Sequence, residues 1–122
     1  PGEHLQSCLQ NLHQLIGEGF EVTILDAQPS TESPVNHPLT QAIQKTLRLH
    51  RPDATPVPFL LPGVTDGCFL RPKGMAVYGF APLLPEENIN LVHCPDERLS
   101  LASLSFSLTI AMETILDYIM SP

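Results

Sequence analysis

Two short polar stretches hold the side chains best suited to chemistry. In "HCPDE", residues 93–97, an imidazole, a thiol and two carboxylates fall within five positions. Neutral imidazole is the commonest metal-binding side chain, and a histidine at the end of a short strand is well placed to ligate. The plainer reading of His93 is a polar surface residue at a helix entrance. Cys94 could bind a soft metal, but adjacent side chains diverge, so it reads as a buried thiol. In "PGVTDG", residues 62–67, Gly63 lets the backbone approach a ligand, Thr65 offers a hydroxyl and an N–H, and Asp66 can orient either. In sheets covered by helices, ligands gather beyond the carboxyl ends of strands, where this turn would lie. Its plainer reading is a turn in which Asp66 caps the helix that follows.

Both stretches need elements to position them. Leu5, Cys8, Leu9, Leu12, Leu15 and Ile16 follow helical spacing, with glutamines on the opposite face and Gly17 and Gly19 as a stop. Phe20, Val22 and Ile24 alternate with polar residues, the pattern of a half-exposed strand. The run "AQPSTESPVNHP" reads as a linker. A second helix begins with Asn36 or His37 as cap and Pro38 in its first turn, buries Leu39, Ala42, Ile43, Thr46 and Leu47, and ends at Arg51-Pro52. "PVPFLLPG" and "MAVYGFAP" suit strands covered on both faces, and "LVH" a third. The last helix starts at Ser100 and carries Leu101, Leu104, Leu108, Ala111, Ile115 and Ile119 as its buried stripe. The order predicts an α/β fold: a small, mostly parallel sheet covered by helices, preceded by a helix–strand piece of an α+β layer.

Composition narrows the function classes. Thirteen prolines and seven glycines among 122 residues fall short of the roughly 25–30% that marks low complexity, and 43% apolar residues can supply a core. Six basic against thirteen acidic residues give a net charge of −7, and the scattered cations form no stripe for a phosphate backbone. Nucleic acid is therefore excluded as the expected partner. The C-terminal apolar run is broken by Glu113 and Asp117 and diluted by serines, which predicts an amphipathic helix and no membrane span. Three cysteines without C-x-x-C spacing argue against a disulfide framework or zinc ribbon and point to reduced thiols in the cytoplasm. A start at Pro1 is read as the start of a piece of a longer protein.

Gly63-Val64-Thr65-Asp66, then Tyr78-Gly79-Phe80-Ala81-Pro82, then His93 with Glu97 before a long final helix, together resemble the C-terminal part of M20-type metallopeptidases. These include carboxypeptidases, aminoacylases, dipeptidases and acetylornithine- or succinyl-diaminopimelate-type deacylases. "PGEHLQSCLQNLHQLI" looks like the family's lid helix, so the resemblance spans nearly the whole chain in the right order. It implies the C-terminal part of a phosphorylase/hydrolase-like zinc-peptidase fold. Residues 1–30 would end a lid or dimerisation domain, and residues 31–122 would belong to the catalytic domain. The implied activity is two-zinc hydrolysis of a peptide or N-acyl amide bond of an amino-acid derivative. In that scheme the metals polarise the carbonyl and activate water, while a glutamate outside the metal shell moves the proton. His93 takes the place of the family's final metal ligand, Glu97 and Arg98 support the helix entrance, and Gly63, Thr65, Asp66 and Arg71 bind substrate.

The departures are equally definite. The family's H-x-D motif, paired acidic turn and E-E pair do not occur in their places. Glu86-Glu87 lies in a proline-rich loop and reads as solvated charge. Cys68 stands where many members carry an arginine that binds substrate carboxylates; Arg71 either substitutes or takes a capping or ion-pair role. The chain thus carries no catalytic residue and is expected to be inactive and zinc-free by itself, with homodimerisation through the lid. The rival reading is a non-catalytic α/β module that dimerises through residues 20–27. A coincidental likeness in a small acidic domain is a third.

Overall fold

The computed structural model describes residues 2–28, 30–60 and 63–121. Four α-helices carry the architecture: α1 (Leu5–Ile16), α2 (Pro38–His50), α3 (Gly67–Leu70) and α4 (Leu101–Met120). Two short 3-10 turns, Arg71–Lys73 and Ile89–Leu91, complete the regular structure. The chain divides into two compact units, Pro1–Pro34 with Leu61–Tyr78, and Val35–Leu60 with Gly79–Pro122. The first passage between them falls inside the stretch read as a linker.

Helix boundaries follow their local chemistry. At α2, His37 Nδ1 accepts the Leu39 N–H at 3.2 Å while the His37 N–H donates to Thr40 Oγ1 at 3.1 Å, and Pro38 takes the first turn. This reciprocal capping meets two donors that the helix start would leave open. Arg51, out of helical conformation at φ −140 before Pro52, closes the other end with its N–H on Leu47 O. At α1, Gly17 adopts φ 76 and its N–H meets His13 O at 3.0 Å. At α4, Ser100 Oγ accepts the Ser103 N–H at 3.0 Å.

The expected α/β sheet is not formed: no strand or bridge occurs among the described residues. Residues 20–25, 54–60 and 75–82 run without a ladder, and "LVH" falls in the 3-10 turn ending at Leu91 and the turns after it. Leu61 and Pro62 of "PVPFLLPG" lie outside the described residues. The physical reason is a lack of partners. A strand needs a second one for its N–H and C=O groups, and Pro56 and Pro58 remove donors from the segment that most needed them. Phe59, expected between two layers, is 81% exposed. The α+β lid piece is corrected likewise, because α1 buries no residue and the segment after it pairs with nothing.

In the second unit α2 packs on α4, and here the expected stripes fare differently. Ala42, Ile43 and Thr46 of α2 are buried as anticipated. On α4 the buried residues are Ser103, Ile110 and Thr114, while Leu101, Leu104, Leu108, Ile115 and Ile119 face outward. Small side chains let the helix axes approach, and the serine hydroxyls are used: Leu84 N–H donates to Ser103 Oγ at 3.2 Å, and Ser107 Oγ donates to Pro82 O. Lys45 pairs with Asp117 and His50 Nε2 with Glu113 at 2.6 Å, closing the seam at its rim. His37 stacks on Tyr118 with centroids 6.4 Å apart.

This seam has an uneven energetic profile. Ile110 is wholly buried, so Ile110→Ala is expected to cost about 2–5 kcal/mol of unfolding free energy. Leu108 is 56% exposed, so Leu108→Ala should change stability by no more than about 0.5 kcal/mol. Urea unfolding followed by far-UV circular dichroism reads both; equal losses would contradict the orientation of α4.

Candidate functional site

The candidate substrate residues belong to the first unit. Gly63, Thr65 and Asp66 are exposed, and Pro62 lies outside the described residues. Backbone bonds start α3: Thr65 O accepts from Cys68 N–H at 3.0 Å, and Asp66 O from Phe69 N–H at 3.1 Å. Asp66 stands at the cap position with helical φ, and its side chain makes no capping bond. Its carboxylate is therefore not spent on the helix, which removes the plainer reading of this turn as an aspartate cap.

Arg71 leaves the short helix and turns onto its own unit. Its Nε donates to Ser33 Oγ at 3.0 Å and to Val77 O at 3.2 Å, Nη2 donates to Val77 O at 2.9 Å, and Nη1 to Thr31 Oγ1 at 3.2 Å. Ser33 Oγ in turn donates to Val77 O and accepts the Val77 N–H, both at 2.9 Å. Side chains thus meet both backbone groups of a residue that was expected in a strand ladder. Among the described residues no ion pair involves Arg71, so the expected alternatives of cap and surface pair give way to a tie between residues 31–33 and 77. Gly67 makes room for it: a Cβ there would stand 2.8 Å from Arg71 Nη1. Sequence reasoning missed Gly67, whose signal was a glycine four residues before an arginine on a helical turn.

His93 belongs to the second unit. Among the described residues it is the one non-glycine residue with positive φ, at 66°. That left-handed conformation costs an L-residue roughly 1–2 kcal/mol, less for histidine and asparagine than for branched side chains. The His93 N–H donates to Glu97 Oε2 at 3.0 Å. The loop is closed further by Cys94 N–H to Leu91 O at 2.9 Å and Glu97 N–H to Cys94 O at 3.0 Å. The imidazole is exposed. Cys94, expected as a buried thiol, is exposed as well, and its Sγ bonds Asn90 O at 3.4 Å. In a turn this tight no layer of structure lies over residue 94 to cover it. Cys8, Cys68 and Cys94 are all free thiols. Arg98 pairs with Asp96 at 3.5 Å, on the surface.

Glu87 does more than the solvated charge expected: it accepts the Ser100 N–H on Oε1 at 3.2 Å at the start of α4. The Ser100 hydroxyl first, then the Ser103 hydroxyl, with a smaller share from the Ser100 N–H, holds its carboxyl below the ordinary carboxylate range. Proximity in sequence to Glu86 concealed this, since the two side chains have different neighbours.

A zinc centre can be tested against these donors. His93 has the exposed ring that one ligand position needs. Yet among the described residues no three His, Cys, Asp or Glu side chains converge as a metal site. A shallow groove along α1, lined by Gln6, Leu9, Gln10, His13 and Gln14, includes none of the candidate residues. No helix among the described residues is long and apolar enough to cross a membrane.

Two consequences are measurable. Lysine cannot reproduce the guanidinium fork, so Arg71→Lys should cost about 1–3 kcal/mol and speed amide exchange at Val77. For Glu87 the folded value lies below the unfolded one. Its contribution is therefore full above the ordinary value of 4.5 and lost as pH falls through the lowered folded value. Protection of the Ser100 amide, relative to its intrinsic exchange rate, should fall across that acid window, and Glu87→Gln should remove that change.

No protein-family model, curated protein or solved structure matches the chain. The likeness to M20-type enzymes accordingly rests on the quoted motifs alone.

Proposed function

We propose that this chain is the C-terminal portion of an M20-type zinc amidohydrolase acting on a peptide or N-acyl amino acid, and that it supplies one metal ligand, His93. The observation that carries the reading is the backbone of His93. Positive φ is sparsely used by L-residues, and a non-glycine residue held there marks a backbone set to aim its side chain. The chemistry that a bound zinc pair supplies is polarisation of the amide carbonyl and a water of lowered pKa. This chain's share is to present the imidazole on the entrance of α4, itself anchored by Ser100 and Glu87. Gly63, Thr65 and Asp66, with exposed backbone and an uncommitted carboxylate, remain the residues proposed to line the substrate pocket, and Arg71 keeps its tie while offering its remaining N–H groups. Three free thiols favour a cytoplasmic setting. The chain alone is proposed to be inactive.

A second reading is favoured by α1. Among the described residues α1 buries none of its side chains, Leu15 being 84% exposed, and only His13 among its residues is titratable beside Cys8. In an acidic protein such a helix is a face on which two copies meet without charge repulsion, as an interaction module or as the lid contact of a homodimer.

The product of the whole gene that encodes this chain decides between them. Zinc content by atomic emission and hydrolysis of N-acyl amino acids should both fall on His93→Ala. His93→Gly should lose zinc equally, yet raise the stability of the isolated chain by about 1 kcal/mol, because glycine relieves the left-handed strain. Unchanged zinc and activity in His93→Ala would sink the enzyme reading. A zinc-free, inactive product that is dimeric by sedimentation, and monomeric after Leu12→Glu, would establish the module.

A further inference from the structure

We infer that Glu97 is the positioning residue of His93: its carboxylate grips the histidine's backbone N–H, holds residue 93 in the left-handed conformation, and so fixes where the imidazole stands. The inference builds on the reading of His93 as a ligand. Its geometric half stands without that reading.

The carboxylate of Glu97 has no other employment. Ser100 already caps α4, Glu87 already takes the Ser100 N–H, and Arg98 pairs with Asp96. Among the described residues Glu97 makes no ion pair. What it does is accept the His93 N–H at 3.0 Å, a charge-assisted bond that reaches back over one turn. That turn is itself closed by the Leu91 and Cys94 carbonyls, so the glutamate side chain springs from a fixed base. Without the grip, residue 93 would relax from φ 66 toward the negative φ that L-residues prefer, a rotation of more than about 100°. Such a rotation swings Cβ and the ring to another direction. The spacing of four between His93 and Glu97 is then a mechanical requirement, the reach of one carboxylate across one turn, and not an accident of a polar loop.

The test uses Glu97→Ala and Glu97→Gln, with far-UV circular dichroism as the check on folding. In the chain itself, NMR should show a slowly exchanging His93 amide and a three-bond coupling of the left-handed region. Both should be lost in Glu97→Ala and retained in Glu97→Gln, whose carbonyl oxygen still accepts. In the product of the whole gene, Glu97→Ala should weaken zinc binding about 10–100-fold, with Glu97→Gln recovering most of it. A His93 amide that exchanges equally fast in the wild type and in Glu97→Ala overturns the grip. A grip lost while zinc affinity stays unchanged overturns the positioning role. Unchanged zinc in His93→Ala overturns the ligand reading, and the amide result then still decides the grip by itself.

Discussion

Among the described residues no strand ladder forms, and several backbone amides and carbonyls outside the helices are met by side chains, in both units. Arg71 and Ser33 meet Val77, and the Tyr78 hydroxyl meets Pro34 O at 2.6 Å. In the second unit Ser103 meets Leu84, Ser107 meets Pro82, Glu87 meets Ser100, and Glu97 meets His93. Each tie spans residues distant in sequence or turns a loop sharply. An unmet group would cost about 1–3 kcal/mol, a large share of the stability of a domain this size. The polar residues of the loops therefore act as structural members, and two of them stand on either side of the start of α4.

Helix α4 shows how meeting backbone groups with side chains competes with apolar burial. It is apolar on more than one face, and its long side chains could have been turned toward α2. Instead the serine and threonine face lies on α2, with Ile110 as its fully buried centre. The hydroxyls of Ser103 and Ser107 are needed by the loop at residues 82–84, and that loop is reached only from this face. The hydroxyl of Thr114 is buried without a partner, a residual cost of the same choice. The outward Leu104, Leu108 and Ile115 are the consequence.

The loop at residues 91–97 translates these forces into a candidate function. A left-handed histidine, a glutamate four residues on, and a capped helix beyond form one local unit, whose parts lie too close in sequence to depend on distant contacts. The quoted motifs agree with it: the H-x-x-x-E spacing is the reach of the carboxylate. The Gly63–Asp66 turn is less constrained. Its aspartate is neither a cap nor an ion-pair partner, and its geometry is set by backbone bonds alone.

The sequence by itself determined what is local. Helix positions, the His37–Pro38 start, the Gly17 stop and the Ser100 cap all follow from interactions within four or five residues, and they were legible for that reason. The same holds for the α2 stripe, where polar and apolar faces are distinct. Only the tertiary structure decided the rest. The apolar runs "MAVYGFAP" and "PVPFLLPG" record a capacity to pair, but pairing requires a second strand, and the Val77 backbone took side-chain partners instead. Which face of α4 is buried, the tie made by Arg71 and the task of Glu87 depend on groups 13 to 44 positions away. Periodicity carries no information about such partners, because a hydrogen bond is specified by where two groups meet in space.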